Sequence, residues 1–139
     1  MESYINPCNL TDYGPKPFAV DIDKATKANK NYRFVLWTGE YLQATLMSIP
    51  PGGEIGLEIH PDTDQFLRIE SGRGVARMGD DQSASDYQFT VGDGYAVFIP
   101  AGTWHNVINT GLCPLKLYSI YAPPHHPHGT VQKHKPQEE

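Results

Sequence analysis

The chain has 139 residues, a net charge of -5 and a sequence pI near 5.6. That length fits one domain able to bury roughly 70% of its unfolded surface. Its 11 Lys and Arg are scattered among 16 Asp and Glu, and no apolar run approaches bilayer-spanning length, which argues against nucleic acid and membrane as partners.

The opening MESYINPCNL has neither a basic n-region nor an apolar h-region, so no leader is expected there. Cys8 and Cys113 are too few for a disulfide framework or a CxxC site, and a cytoplasmic location is the default expectation. Asn6-Pro7, Gly14-Pro15 and Pro17 make residues 1 to 17 read as an irregular arm. A short helix over 21 to 29 follows, capped by Asp21 or Asp23, with Ile22, Ala25 and Ala28 at helical spacing. Residues 33 to 37 and 41 to 49 read as a hairpin about Thr38-Gly39-Glu40, with Met47 as core filler. Pro50-Pro51-Gly52-Gly53 breaks the chain before its central motif.

That motif is GGEIGLEIHPDTDQFLRIESG, from Gly52 to Gly72. Glu58 and His60 are two apart, so on a β-strand both leave the same face. Pro61-Asp62-Thr63-Asp64 favours a turn, after which a returning strand aims Gln65 back at the other two. A carboxylate, an imidazole and an amide oxygen are ligand types for a divalent metal. Counting by twos from Gln65 puts Leu67 and Ile69 inside and Phe66, Arg68 and Glu70 outside.

Further strands are expected over 75 to 78, 87 to 91, 95 to 99, 105 to 109 and 115 to 121, with a polar loop over 82 to 86. His105 follows the tight turn Pro100-Ala101-Gly102-Thr103, and Val107 and Asn109 share its face. In the last strand Lys116 marks a solvated face, leaving Leu117, Ser119 and Tyr121 inside. Trp104 faces away from His105, into sheet packing. Nine or ten short strands at regular spacing point to an all-β, antiparallel double-sheet jelly roll or small barrel.

These two stretches resemble the motifs of the cupin superfamily. Its first motif, G-x5-H-x-H-x3,4-E-x6-G, appears as Gly52, Glu58 in place of the first His, His60, Gln65 in place of Glu, and Gly72. Its second, G-x5-P-x-G-x2-H-x3-N, is met at Gly94, Pro100, Gly102, His105 and Asn109. The resemblance implies a double-stranded β-helix (jelly-roll barrel) over 33 to 122, with the arm and helix at 1 to 32 before it and a His/Pro-rich tail at 123 to 139 after it. It also implies one divalent metal ion, Fe, Mn, Ni or Zn, held by Glu58, His60, Gln65 and His105. The alternative is a pocket without metal, in which those side chains make ordinary buried hydrogen bonds.

Tyr121, Ser119, Asn109 and His128 are the candidate substrate-pocket residues. Tyr121 also reads as a core aromatic with a satisfied hydroxyl. His125, His126 and His128 read first as a solvated tail that picks up stray nickel or zinc; the alternative folds them over the pocket mouth as an outer ligand or proton carrier. The polar tail after Thr130, ending in QKHKPQEE, is expected to fray. The function expected is metal-dependent chemistry on a small oxygen-bearing metabolite. It is either dioxygenase-like or non-oxidative, as in mannose-6-phosphate isomerase-like cupins, with Glu58 as general base if it is not a ligand. A non-catalytic module binding a small sugar or metabolite is the alternative. A homodimer is expected, with the N-terminal arm crossing to the partner.

Overall fold

The structure, a computed structural model, describes residues 11–137. The first half of the expected crossing arm, with Cys8, therefore lies outside the described residues. Residues that are described in this arm run along the chain's own sheet: Tyr13 N donates to Leu36 O at 2.9 Å and Trp37 Nε1 to Lys16 O at 2.7 Å.

The helix forms where the sequence places it, as α1 (Ile22–Ala28), with the Asp21 side chain accepting from Lys24 N. Among the described residues nine strands follow: β1 (Arg33–Thr38), β2 (Gln43–Ile49), β3 (Asp64–Ser71), β4 (Arg73–Gly79), β5 (Tyr87–Gly92), β6 (Ala96–Ile99), β7 (Trp104–Asn109), β8 (Leu115–Ala122) and β9 (Val131–Gln132). They make two antiparallel sheets, ordered β6-β3-β8-β2-β1-β9 and β5-β4-β7. This is the expected all-β, double-stranded β-helix. Between the sheets lies an apolar cluster that includes Met47, Ile49, Ile69, Val91, Leu115 and Leu117. Burying one such side chain contributes about 1.5–3 kcal/mol.

Three expectations are corrected. Glu58 and His60 do not lie on a continuous strand. Residues 54 to 58 touch the free edge of β7 through two isolated bridges, Glu54 to Ile108 and Glu58 to His105. Gly56, at φ 100°, interrupts the ladder between them.

The face bearing Lys116 and Glu70 is only partly solvated: Glu70 is buried and Lys116 partly buried, while Arg68 stays exposed. The helix α1 and the residues before it cover part of it, burying Ala25, Phe34, Leu36 and Leu46 in a second apolar cluster. Lys116 Nζ accordingly donates to Asn29 O, and burial pushes its ammonium below the usual lysine range.

Nor does the start of the polar tail fray. Val131 and Gln132 pair with Phe34 and Arg33, and Tyr32 N and Val35 N donate to the Lys133 and Thr130 carbonyls at 3.2 and 2.9 Å. Backbone groups left unpaired on the edge of β1 are satisfied by this return, which the polar composition of the tail did not signal.

Candidate metal centre

The centre is assembled by two turns that hold each other. Gly102, at φ 79°, turns the chain between β6 and β7, and its N–H donates to His60 O at 2.9 Å. On the other flank Asp64 Oδ1 accepts from Ala101 N at 2.8 Å. The Pro61-Asp62 turn and the Pro100-Gly102 turn are thus stitched together, which fixes His60 next to the start of β7.

Glu58 and His105 exchange both backbone hydrogen bonds, at 3.0 and 2.9 Å. Directly opposed residues of an antiparallel pair project to the same side. Glu58 Oε1 consequently lies 3.2 Å from His105 Nε2, and it also lies 3.3 Å from His60 Nε2. One ligand atom from each of Glu58, His60 and His105 falls within 4.8 Å of the others, so these three residues form a group that could hold a metal ion.

The protonation pattern suits a cation. His105 Nδ1 is 2.9 Å from the Thr103 carbonyl, which can only accept, so Nδ1 carries the hydrogen. Its Nε2 then meets the Glu58 oxygen either by carrying a second hydrogen or, as a lone pair, through a metal ion. Two lone pairs at 3.2 Å repel unless a proton or a metal ion sits between them. Burial would raise the Glu58 carboxyl, but hydrogen bonds from His105 and His60 outweigh it and hold the group well below the usual carboxylate range. The result is a permanent anion facing two imidazoles, a donor set that accepts Fe, Mn, Ni or Zn.

Gln65, the fourth expected ligand, pairs in register with Tyr121 of β8 and is buried. Its Nε2 donates to Ser119 Oγ at 3.2 Å and Tyr121 Oη at 3.5 Å, while its Oε1 has no partner. Buried polar atoms are nearly always paired, so this orphaned oxygen fits a residue waiting on a ligand. Tyr121 lies edge-on to His60, ring centroids 5.7 Å apart, and so joins the Gln65 layer to the centre. Burial and the Glu58 charge push its hydroxyl far above the ordinary phenol range, keeping it neutral.

The other two expected pocket residues are placed elsewhere. Asn109 Nδ2 donates to the Ile49 and Cys113 carbonyls, both at 2.9 Å, and its Oδ1 accepts from Gly111 N. That side chain clamps the turn after β7. His128 Nε2 is 2.9 Å from Gly14 O and 3.4 Å from Asp12 Oδ1, on the arm rather than at the centre.

What the sequence reading set aside is the pair before it. The His125 ring lies 4.0 Å from that of His60, and the His126 ring 5.2 Å from that of Tyr121. Both are set by Gln43, a fully buried β2 residue: its Oε1 accepts from His125 N and His126 N at 3.1 and 2.9 Å, and its Nε2 donates to His126 O at 2.7 Å. The tail therefore covers the mouth of the barrel. Burial, then the charge of Arg33, push His126 down to about 3. The signal available in the sequence was an amide, Gln43, at the start of a strand whose Leu46, Met47 and Ile49 are apolar.

Comparison with known proteins agrees with this architecture. The family described as Cupin domain matches residues 45–121. The uncharacterised protein YrkC of Bacillus subtilis is 61% identical over 126 residues, covering 91% of this chain and 68% of that one. An uncharacterised protein of Acanthamoeba polyphaga mimivirus is 40% identical over 121 residues, covering 86% and 74%. The crystal structure of BH2720 from Bacillus halodurans superposes with a TM-score of 0.87 at 63% identity, covering 88% of this chain and 93% of that one.

Proposed function

The chain belongs to the cupin family, and we propose that it is a metal-dependent enzyme acting on a small oxygen-bearing metabolite. One observation carries this reading: Glu58 Oε1 stands between two imidazole nitrogens at 3.2 and 3.3 Å, one of which has its other ring hydrogen committed to a carbonyl. Glu58, His60 and His105 would hold the ion. When bound, it supplies Lewis-acid polarisation of a substrate oxygen, or O2 activation if it is iron or manganese. Both dioxygenase-like and isomerase- or lyase-like reactions use such a centre.

The chain's own residues account for the surroundings. Ser119 and Tyr121 fix the Gln65 amide, and Gln65 offers a neutral oxygen beside the charged set. His125 and His126 close the mouth and limit water.

Elemental analysis of untagged full-length protein tests the metal, followed by chelation and single-metal restoration with turnover as readout. Stoichiometric metal with activity that returns on restoration supports the enzyme. Ligand binding indifferent to chelator would instead identify a non-catalytic binding module. Oxygen uptake in a sealed cell separates the oxidative route from the Lewis-acid one, and Glu58→Gln that keeps metal but loses turnover assigns Glu58 as general base.

A homodimer belongs to the same proposal. Edge strands β5 and β6 carry exposed Tyr87, Phe89 and Phe98, and pairing is a common way to cover such edges. Light scattering should give twice the 15.5 kDa chain mass; a species of 15.5 kDa overturns it.

A further inference from the structure

Arg33 opens β1 and is only 7% exposed, yet among the described residues no carboxylate lies within ion-pair reach of it. Its Nη1 donates to Gln132 Oε1 at 2.5 Å, and its guanidinium carbon lies 5.1 Å from the Tyr32 ring centroid. Its Nε is buried without a partner. A buried cation costs several kcal/mol unless it is paired, and neither partner here carries charge. Packing alone would be served better by Met or Leu.

Register shows which way it faces. Arg33 pairs with Met47, a member of the cluster between the sheets, so its side chain enters the barrel interior. Two residues on, Val35 pairs with Thr45, which pairs in turn with Ser119, the partner of Gln65, so Arg33 borders the polar layer of the interior. Of the buried side-chain polar atoms without a partner among the described residues, most belong to this region: Arg33 Nε, Thr45 Oγ1, His60 Nδ1, Gln65 Oε1 and His126 Nε2. The interior thus holds an anionic donor set and, entering from β1, an uncompensated guanidinium.

We propose that Arg33 recognises a carboxylate on the substrate, so that the molecule handled at Glu58, His60 and His105 is a small carboxylic acid. The inference rests on the metal-centre reading for the position of the reacting end. With Nη1 held by Gln132, the Nε edge of the guanidinium is the one left to meet an incoming group, and a planar fork matches a carboxylate. The ligand would supply the counter-charge that the protein withholds.

Calorimetric titration of metal-loaded full-length protein tests this with lactate, its neutral analogue lactamide, and inorganic phosphate. Lactate should bind at least about tenfold more tightly than lactamide, as expected for a hydrogen bond between charged groups. Arg33→Gln should erase that preference while leaving metal content and lactamide affinity unchanged, and Arg33→Lys should recover part of it. Gln132→Leu removes only the neutral partner and should keep lactate binding.

No saturable lactate binding, or equal binding by wild type and Arg33→Gln, overturns the proposal. So does phosphate bound in preference to lactate. A loss in Gln132→Leu equal to that in Arg33→Gln would make Arg33 a clasp for the tail, which also overturns it. If the wild type holds no metal yet Arg33→Gln still loses lactate, the carboxylate assignment stands and the metal centre falls. If metal is stoichiometric but lactate does not discriminate, the reverse holds.

Discussion

The inward-facing residues of β8 divide the barrel interior into two ends. Leu115 and Leu117 face Ile49, Met47 and Ile69 across the sheet, whereas Ser119 and Tyr121 face Thr45, Gln43, Leu67 and Gln65. All four β8 side chains are equally inaccessible, at 1% exposure or less. Burial therefore does not separate core from site. Hydrogen-bond satisfaction does: the β8 neighbours at the first end, Ile49, Met47 and Ile69, are apolar, with Arg33 beside Met47 the exception, while Thr45 Oγ1 and Gln65 Oε1 at the second are buried without partners. Polar atoms kept dry and unpaired cost stability, and a protein tolerates that where a ligand or ion supplies the missing partner.

The comparison is tested most severely at the ligands. His60→Ala and His105→Ala should each abolish stoichiometric metal in untagged protein while far-ultraviolet circular dichroism stays that of a folded β-protein. If either variant unfolds, the polar end carries stability after all and the division fails.

Leu117→Ala is the counterpart at the apolar end. It should cost about 2–5 kcal/mol, read as a lower urea midpoint at unchanged m, with metal content preserved in the folded protein. Loss of metal from that folded variant would join the two ends into one unit.

Gln43→Ala sharpens the boundary between the polar end and its cover. The Gln43 amide holds two N–H groups and one carbonyl of the tail. Its removal should cost about 1–3 kcal/mol locally, seen as faster hydrogen exchange over residues 125 to 132 with the barrel strands unaffected. Unchanged exchange there would mean that β9 alone fastens the tail.

The smallest effect is expected at Gln65→Glu. Gln65 already stands beside Tyr121 with a free oxygen, so a carboxylate there should retain or tighten metal and shift which ion is preferred, measured by competition between manganese and zinc. A loss of metal would show that this layer does not face the ion.

Much of this was legible in the chain itself. Alternation in residues 64 to 71 and 115 to 122, punctuated by Gly and Pro, determined strands with a buried face, because side-chain direction in a strand follows from position alone. Turn chemistry at Pro61-Asp62 and Pro100-Gly102 likewise marked where Glu58, His60 and His105 would meet, through the motifs those residues occupy. Three outcomes were not legible, for one reason. Glu58 reaches the centre through an isolated bridge to β7 instead of a strand of its own. The face bearing Lys116 is partly buried because α1 lies over part of it. Residues 125 to 133 are held because the edge of β1 and the buried amide of Gln43 both lacked partners. Each depends on a backbone or amide group finding its hydrogen-bond partner between about 50 and 100 residues away. Local pattern carries no record of such a pairing; only the closed barrel brings the two sides together.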